Sequence, residues 1–318
     1  MTLGKSRSAP APGSATDVNS GATTFGVAIP FFDHQLGYDA ITNFAVSAHD
    51  LGFDGLWLSD HLVVGPPPQH SRTWFDAPTL LAGLARVVPN MALGTDVLIA
   101  AYRHPVVVAK ALATLDIVSG GRLVVGVGSG HSEEEYAVVG ADFQNRGTVT
   151  DEFVQVWKQI WTPGPAVFRG RHITLDEPEL LPQPIQRPHP PIWIGGDSRP
   201  AIRRAARYGD GWHPLALYPQ AYAEGVAELR RQCERFGTEL PTLSYSGFFG
   251  DIGARPVEET TRQPLTGGVQ QVIDDIGRFD EIGVRNIVFR LGSAEHSNAQ
   301  NLDQLALVAQ EILPAVRA

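Results

Sequence analysis

Eight short apolar runs, bounded by turn residues, recur along the chain at 25–32, 55–60, 92–100, 123–128, 191–194, 211–217, 243–250 and 286–291. Helical patterns lie between them, at 39–51, 105–118, 151–161, 199–208, 220–236 and 269–282. Strands that alternate with helices and are apolar on both faces predict a parallel sheet, and eight of them predict closure into a (β/α)8 TIM barrel. An open doubly wound sheet would carry a G-x-G-x-x-G turn after its first strand, whereas this chain reads AIPFFDHQLG there. Closure is the stronger reading.

Helix stops repeat a local grammar. HDLGFDGLWL at 49–58 and DEIGVRNIVF at 280–289 each place an acidic residue and an aliphatic before a glycine, with a strand starting about three residues later. That glycine suits the left-handed position after a helix. The stretch 191–213, PIWIGGDSRPAIRRAARYGDGWH, is the most informative single unit. A buried strand ends in Gly195 and Gly196, Asp197 or Ser198 caps a helix that Pro200 helps to start, and Gly209 stops it. Backbone N–H groups and the helix dipole converge on the glycine pair, so an anion fits there. The plainer reading is that the glycines only turn the chain.

Two segments exceed what a minimal barrel needs. Residues 131–190 form an insertion between strands four and five; within it AVFRGRHITL reads as a hairpin turning at Gly170, and LPQPIQRPHPP as an extended strap. The other is the loop 251–268 after strand seven. Both lie at carboxyl ends of strands, where barrel active sites are built.

Composition narrows the function classes. A formal net charge of -9 without a lysine-rich segment argues against nucleic acid as a partner, and no apolar run reaches membrane-spanning length. The single cysteine, Cys233, excludes an intramolecular disulfide and favours a reducing compartment, so a cytoplasmic location is expected. Residues 1–23 are Ser, Ala, Gly, Pro and Thr almost throughout and read as a disordered leader, leaving 24–318 as one domain. They lack the apolar segment of a secretory signal.

Polar residues at carboxyl ends of barrel strands are the candidates for chemistry. Ser59, Asp60 and His61 close strand two, and a histidine beside a carboxylate can move a proton near neutral pH. The alternative is a turn-capping Asp60 and a rim histidine. Strand three is long enough to carry a bulge that supports a flat ring, although a plain buried strand is the more common explanation of such a run. Strand four runs into GVGSGHSEEE, where glycines allow close backbone approach and Ser129 offers a hydroxyl. Ten scattered histidines without H-E-x-x-H spacing give no metal site, and without a G-x-S-x-G elbow there is no hydrolase nucleophile. Arg103, Arg169 and Arg187 read as surface or ion-pair residues.

SDH at 59–61, GTDVLIAAYRHP and AKALATLD at 94–116, SGGRLVVGVGSG at 119–130, and PPIWIGG followed by DGW occur in one order. Together, over about residues 24–316, they resemble the luciferase-like superfamily, specifically its deazaflavin (coenzyme F420) dependent oxidoreductases. The resemblance implies a ring-shaped cofactor at the carboxyl end of the barrel, against a bulge with a non-proline cis peptide, by position Asp96–Val97. It implies cofactor contacts from Asp60, His61, Asp96, Val97, Ile99, Gly128 and Ser129. Ile194, Gly195, Gly196 and Ser198 are implied at its phosphate end, with His61 as the catalytic proton donor or acceptor. A small organic substrate and a homodimer follow from the same resemblance. FMN is the alternative cofactor, as in a reduced-flavin monooxygenase, and a catalytically silent binding protein is the other alternative. The family's sugar-phosphate dehydrogenases carry a glutamate where this chain has His131, and a tryptophan a few residues beyond the Asp-His pair, where the nearest here is Trp74. That substrate is not implied.

Overall fold

The computed structural model describes residues 22–30, 37–62, 74–253, 255–260, 262–292 and 296–317. Residues 1–21 of the expected leader, positions 31–32 of the first apolar run, and parts of the 62–75 and 251–268 loops lie outside these. The barrel strands are β1 (Thr24–Ala28), β2 (Gly55–Leu58), β3 (Ala92–Thr95) with its continuation β4 (Leu98–Ile99), and β5 (Leu123–Gly128). A hairpin of β6 (Val167–Arg169) and β7 (Thr174–Asp176) precedes the remaining barrel strands β8 (Ile192–Gly195), β9 (Gly211–His213), β10 (Thr242–Gly250) and β13 (Asn286–Leu291). Two short strands, β11 (Ile252–Gly253) and β12 (Gly267–Gly268), pair with each other after β10. All barrel pairings are parallel, and β3 meets β5 through Leu93↔Leu123 and Gly94↔Val124, so the eight-stranded ring closes. The chain forms a (β/α)8 barrel.

Period-two alternation splits each strand into an outer and an inner face. Outward residues such as Leu56, Val125, Ile194, Tyr245 and Ile287 join the main core with Phe44, Leu112, Trp157, Leu229 and Phe279 of the surrounding helices. Inward residues form a separate cluster of Ala28, Trp57, Val124, Trp193 and Val288. The two indoles stack at 5.2 Å, and the His213 ring stacks on Trp57 at 4.9 Å. They fit because inner positions beside them are glycine: a Cβ on Gly94 would overlap Trp57, and one on Gly211 would overlap Trp193.

The outer layer is made of α1 (Tyr38–Asp50), α2 (Ala77–Leu84), α3 (Pro105–Ser119), α4 (Glu133–Val138), α5 (Arg146–Ile160), α6 (Arg199–Tyr208), α7 (Pro219–Phe236), α8 (Val269–Ile282), α9 (Asn298–Leu307) and α10 (Leu313–Arg317). The anticipated left-handed stops are present at Gly52 (φ 85°) and Gly283 (φ 103°). Gly209 differs, with φ -90°. There the missing side chain is steric, since a Cβ would come within 2.9 Å of Ile194.

Several boundaries depart from the sequence reading. The third strand breaks after Thr95, and the 92–100 run ends in a 3-10 turn at Ala100–Tyr102. β9 stops at His213 rather than 217, with only an isolated Leu215↔Ser246 bridge beyond it. α5 starts at Arg146 rather than 151; its first turn, RGTVT, has low helix propensity and its entry lacks a side-chain cap, so no local signal marks the earlier start. α2 reads APTLLAGL, apolar on almost every face, so no amphipathic period marks it; Asp76 caps it by accepting from the Thr79 N–H at 3.0 Å. α9 carries a capping box, Ser297 with Gln300, that the periodicity alone does not register. Among the described residues no helix is long and apolar enough to cross a membrane.

Candidate active site at the carboxyl end of the barrel

A cleft of about 430 Å³ opens where the barrel strands end. Ser59, Asp60 and His61 follow β2, Asp96, Val97 and Ile99 frame the break in the third strand, and Gly128 ends β5 with 129–131 after it. Gly195, Gly196, Asp197 and Ser198 lead into α6, while Arg146, Leu215 and Arg290 complete the wall. Every expected site residue except one lines this space. Ile194 is the exception: it points outward and is fully buried in the main core, because inward and outward positions alternate and its neighbours Trp193 and Gly195 hold the inner face.

The Asp96–Val97 peptide is cis, at the position the family resemblance implied. Val97 lies over the glycines of the neighbouring strands. A Cβ on Gly128 would come within 2.8 Å of Val97 Cγ2, and one on Gly195 within 2.9 Å of its Cγ1. These glycines therefore seat the Val97 side chain as well as bordering the cleft, and the result is an apolar shelf against which a flat ring can rest.

His61 is held from behind. Its Nδ1–H donates to Glu135 at 3.1 Å, and Glu135 also accepts from the Leu62 backbone N–H at 2.6 Å and from the Tyr102 hydroxyl at 2.8 Å. Burial and then the Glu135 carboxylate push the Tyr102 phenol well above its ordinary value, so it stays a donor. With Nδ1–H committed to a carboxylate, His61 Nε2 carries the lone pair or the transferable proton. Trp74 lies 4.5 Å from the His61 ring and His131 meets it edge-on at 5.8 Å. The tryptophan that is distant from His61 in sequence is therefore adjacent in space.

Asp60 has a different role from its neighbour. Arg103 grips it through both guanidinium nitrogens at 2.7 Å, and the Ile99 backbone N–H donates to it at 3.1 Å. Arg103 also reaches Asp76 at 2.6 Å. Burial works against the Arg103 charge, but these two carboxylates outweigh it and hold the guanidinium above its ordinary pKa. The expected ion-pair role of Arg103 is what the structure contains, and Asp60 braces the end of the third strand rather than offering a vacant carboxylate.

At the opposite wall, Gly196 takes φ 95° and Ser198 caps α6, its Oγ accepting from the Ala201 N–H at 3.4 Å. The Ser198 hydroxyl proton remains available to an incoming oxyanion, as do N–H groups of the first turn. Arg146, stacked on Phe143 at 4.0 Å, also lines the cleft.

The floor is a polar network inside the barrel. His213 Nε2–H donates to Asp96 at 3.1 Å, Ser246 donates to the other Asp96 oxygen at 2.9 Å, and the His213 Nδ1 accepts from Ser244 at 2.6 Å. Asn286 donates to Ser244 at 2.9 Å, and Thr24 to Asn286 at 2.9 Å. Arg290 donates to Ser59 at 2.6 Å and stands 3.4 Å from Asp96. Burial opposes the Asp96 charge, yet Arg290, His213 and Ser246 together hold its pKa below the usual carboxylate range. Among the described residues no group of three or more His, Cys, Asp or Glu is placed to hold a metal ion.

Glu135, Arg146, His213 and Arg290 escaped the sequence reading. His213 and Arg290 were legible in principle, since each lies two residues beyond an inward position, Gly211 and Val288. Glu135 lies four residues after His131 in the first turn of α4, a weaker signal, and Arg146 carried none.

The family model for luciferase-like monooxygenases matches residues 23–250. An F420-dependent glucose-6-phosphate dehydrogenase of Amycolatopsis mediterranei (strain U-32) is 31% identical over 185 residues, 56% of this chain and 54% of that protein, so this alignment spans about half of the relative's length. A protein of the same description from Nakamurella multipartita is 25% identical and covers 89% of this chain and 94% of its own length. Among solved structures, an F420-dependent secondary alcohol dehydrogenase in complex with an F420–acetone adduct superposes with a TM-score of 0.79 at 20% identity, covering 93% of this chain and 100% of that one. At that identity the superposition speaks for the fold alone.

Proposed function

Because the chain belongs to the luciferase-like monooxygenase family, we propose that it is an F420-dependent oxidoreductase that moves a hydride between the deazaflavin and a small organic substrate. Support comes from relatives of that description and from one observation above the rest. His61, fixed by Glu135, faces the same cleft as the Val97 shelf, with an anion-binding helix start at the other end. The donor set fits such a cofactor: an apolar shelf for a flat ring, and Ser198, the first N–H groups of α6 and Arg146 for a phosphate. When bound, the deazaflavin supplies a ring carbon that accepts or gives a hydride. The protein contributes orientation, exclusion of water, and proton handling at His61 Nε2.

Val97 and Ile99 position the ring, Asp60 and Arg103 keep the end of the third strand in place, and Ser198 and Arg146 anchor the tail. Trp74 and His131 bound the space beside His61 in which substrate sits. His131 is a base or donor of another shape than the glutamate of the sugar-phosphate dehydrogenases, so we leave sugar phosphate out of the substrate proposal. A cytoplasmic homodimer that engages neither nucleic acid nor membrane completes the reading, and light scattering on the purified chain tests the dimer.

Fluorescence titration with F420 and with FMN, followed by turnover of wild type and His61→Ala, tests the function. Deazaflavin binding in preference to FMN is expected, with turnover falling on the order of 10²-fold or more in the variant. Tight FMN binding, oxygen-dependent turnover and no deazaflavin binding would replace this reading with a flavin monooxygenase. Unchanged turnover in His61→Ala would remove the proton role.

A further inference from the structure

Four arginines among the described residues are buried, and three of them have no buried guanidinium nitrogen without a partner. Arg122 donates to the backbone oxygens of Ala85, Val88, Met91 and Ser119, Arg204 pairs with Asp151 and the Gly147 carbonyl, and Arg262 pairs with Asp275 and Glu259. Arg290 is different. It is only 6% exposed, yet its Nε–H has no hydrogen-bond partner among the described residues. Its carboxylate contact, 3.4 Å to Asp96, is loose beside the 2.7 Å fork between Arg103 and Asp60. Asp96 is already bonded by His213 and Ser246, and the Arg290 guanidinium carbon sits over the Phe249 ring at 4.3 Å, which holds the side chain in place. A buried cation with a vacant donor costs stability unless something else completes it. It lines the cleft beside the Val97 shelf.

Charge balance in the proposed reaction says what that something is. In the direction that reduces the cofactor, a carbinol substrate would lose its C–H bond with both electrons and its O–H bond, while the carbon–oxygen bond becomes double. The proton goes to His61 Nε2, and the hydride goes to the cofactor ring and carries one negative charge with it. His61 keeps its compensating carboxylate, Glu135, on the rim. The hydride acceptor needs a compensating cation of its own, already in place and shielded from water.

We propose that Arg290 is this counter-charge: its guanidinium hydrogen-bonds the electron-accepting edge of the bound deazaflavin and favours the reduced form over the oxidised one. The inference rests on the F420 reading above and adds a residue and a direction to it. Ser59, which links Arg290 to the Asp96 backbone carbonyl, sets the guanidinium position.

The test is a thermodynamic one on the full chain. Dissociation constants for oxidised and for reduced F420 are measured on wild type, Arg290→Met and Arg290→Lys. Wild type is expected to bind the reduced form more tightly. In Arg290→Met the reduced-to-oxidised affinity ratio is expected to fall at least tenfold, equivalent to about 30 mV in the midpoint of a two-electron couple, while Arg290→Lys stays within roughly threefold of wild type. An unchanged ratio in a folded Arg290→Met that still binds cofactor overturns the inference and leaves the F420 reading standing. If Arg290→Met fails to fold, Arg290→Gln takes its place, and the same reduced-to-oxidised affinity ratio decides. A wild-type chain that binds neither form overturns the F420 reading, and this inference with it.

Discussion

Glu135 decides what His61 can do. An imidazole at the mouth of a barrel is free to rotate and to hold its proton on either nitrogen, and the buried carboxylate removes both freedoms by taking Nδ1–H. Glu135 is in turn fixed by Tyr102 and by the Leu62 N–H, so its own orientation is not left to solvent. Glu135→Gln keeps the shape but loses the charge and permits the opposite His61 tautomer. Turnover is expected to fall roughly 10²-fold with cofactor affinity within a few-fold of wild type, as read by steady-state kinetics beside fluorescence titration. Equal losses of turnover and cofactor binding would make Glu135 a scaffold residue only. Sequence put Asp60 and His61 at the end of the second strand as a pair, and both line the cleft. Side-chain geometry separates them, since Asp60 is spent on Arg103 and Ile99.

The elements of the barrel were the most readable level, and the reason is physical. Parallel strands covered on both faces become apolar runs, and the helices between them show an amphipathic period, as α6 and α8 do at the boundaries expected. The failures have causes too. α2 is apolar nearly all round, and α5 opens with glycine and β-branched residues that compete with helix formation. The inner faces of the strands hid more. Runs such as GLWL and DGWH look uniformly buried, but alternate positions face a narrow interior where two indoles and one imidazole take the volume that glycines leave. Gly94→Ala tests this packing directly. Its Cβ has no space beside Trp57, and a destabilisation of about 1–3 kcal/mol is expected in denaturant unfolding. Wild-type stability in that variant would show that the Trp57 layer repacks at no cost.

At the scale of the molecule, the barrel separates two kinds of polar chemistry. The rim carries polar groups that line the open cleft, among them His61, His131, Ser198 and Arg146. The interior carries a continuous hydrogen-bonded line from Thr24 through Asn286, Ser244 and His213 to Asp96, ending beside Arg290 and Ser59. Such a network is stable only because its members satisfy one another, and it fixes Asp96, the first residue of the cis peptide under the Val97 shelf. The lining of the cleft and the barrel packing thus share residues, which explains why the fold and the cleft at the strand ends were both legible while the partners of each side chain were not. The central claim is that the rim holds an aromatic redox cofactor in one orientation. A crystal structure of the chain with F420 tests it most directly: the ring should rest on Val97 beside His61, with its phosphate at Ser198 and the start of α6. A cofactor bound elsewhere, or with its phosphate at the His61 end, would contradict it.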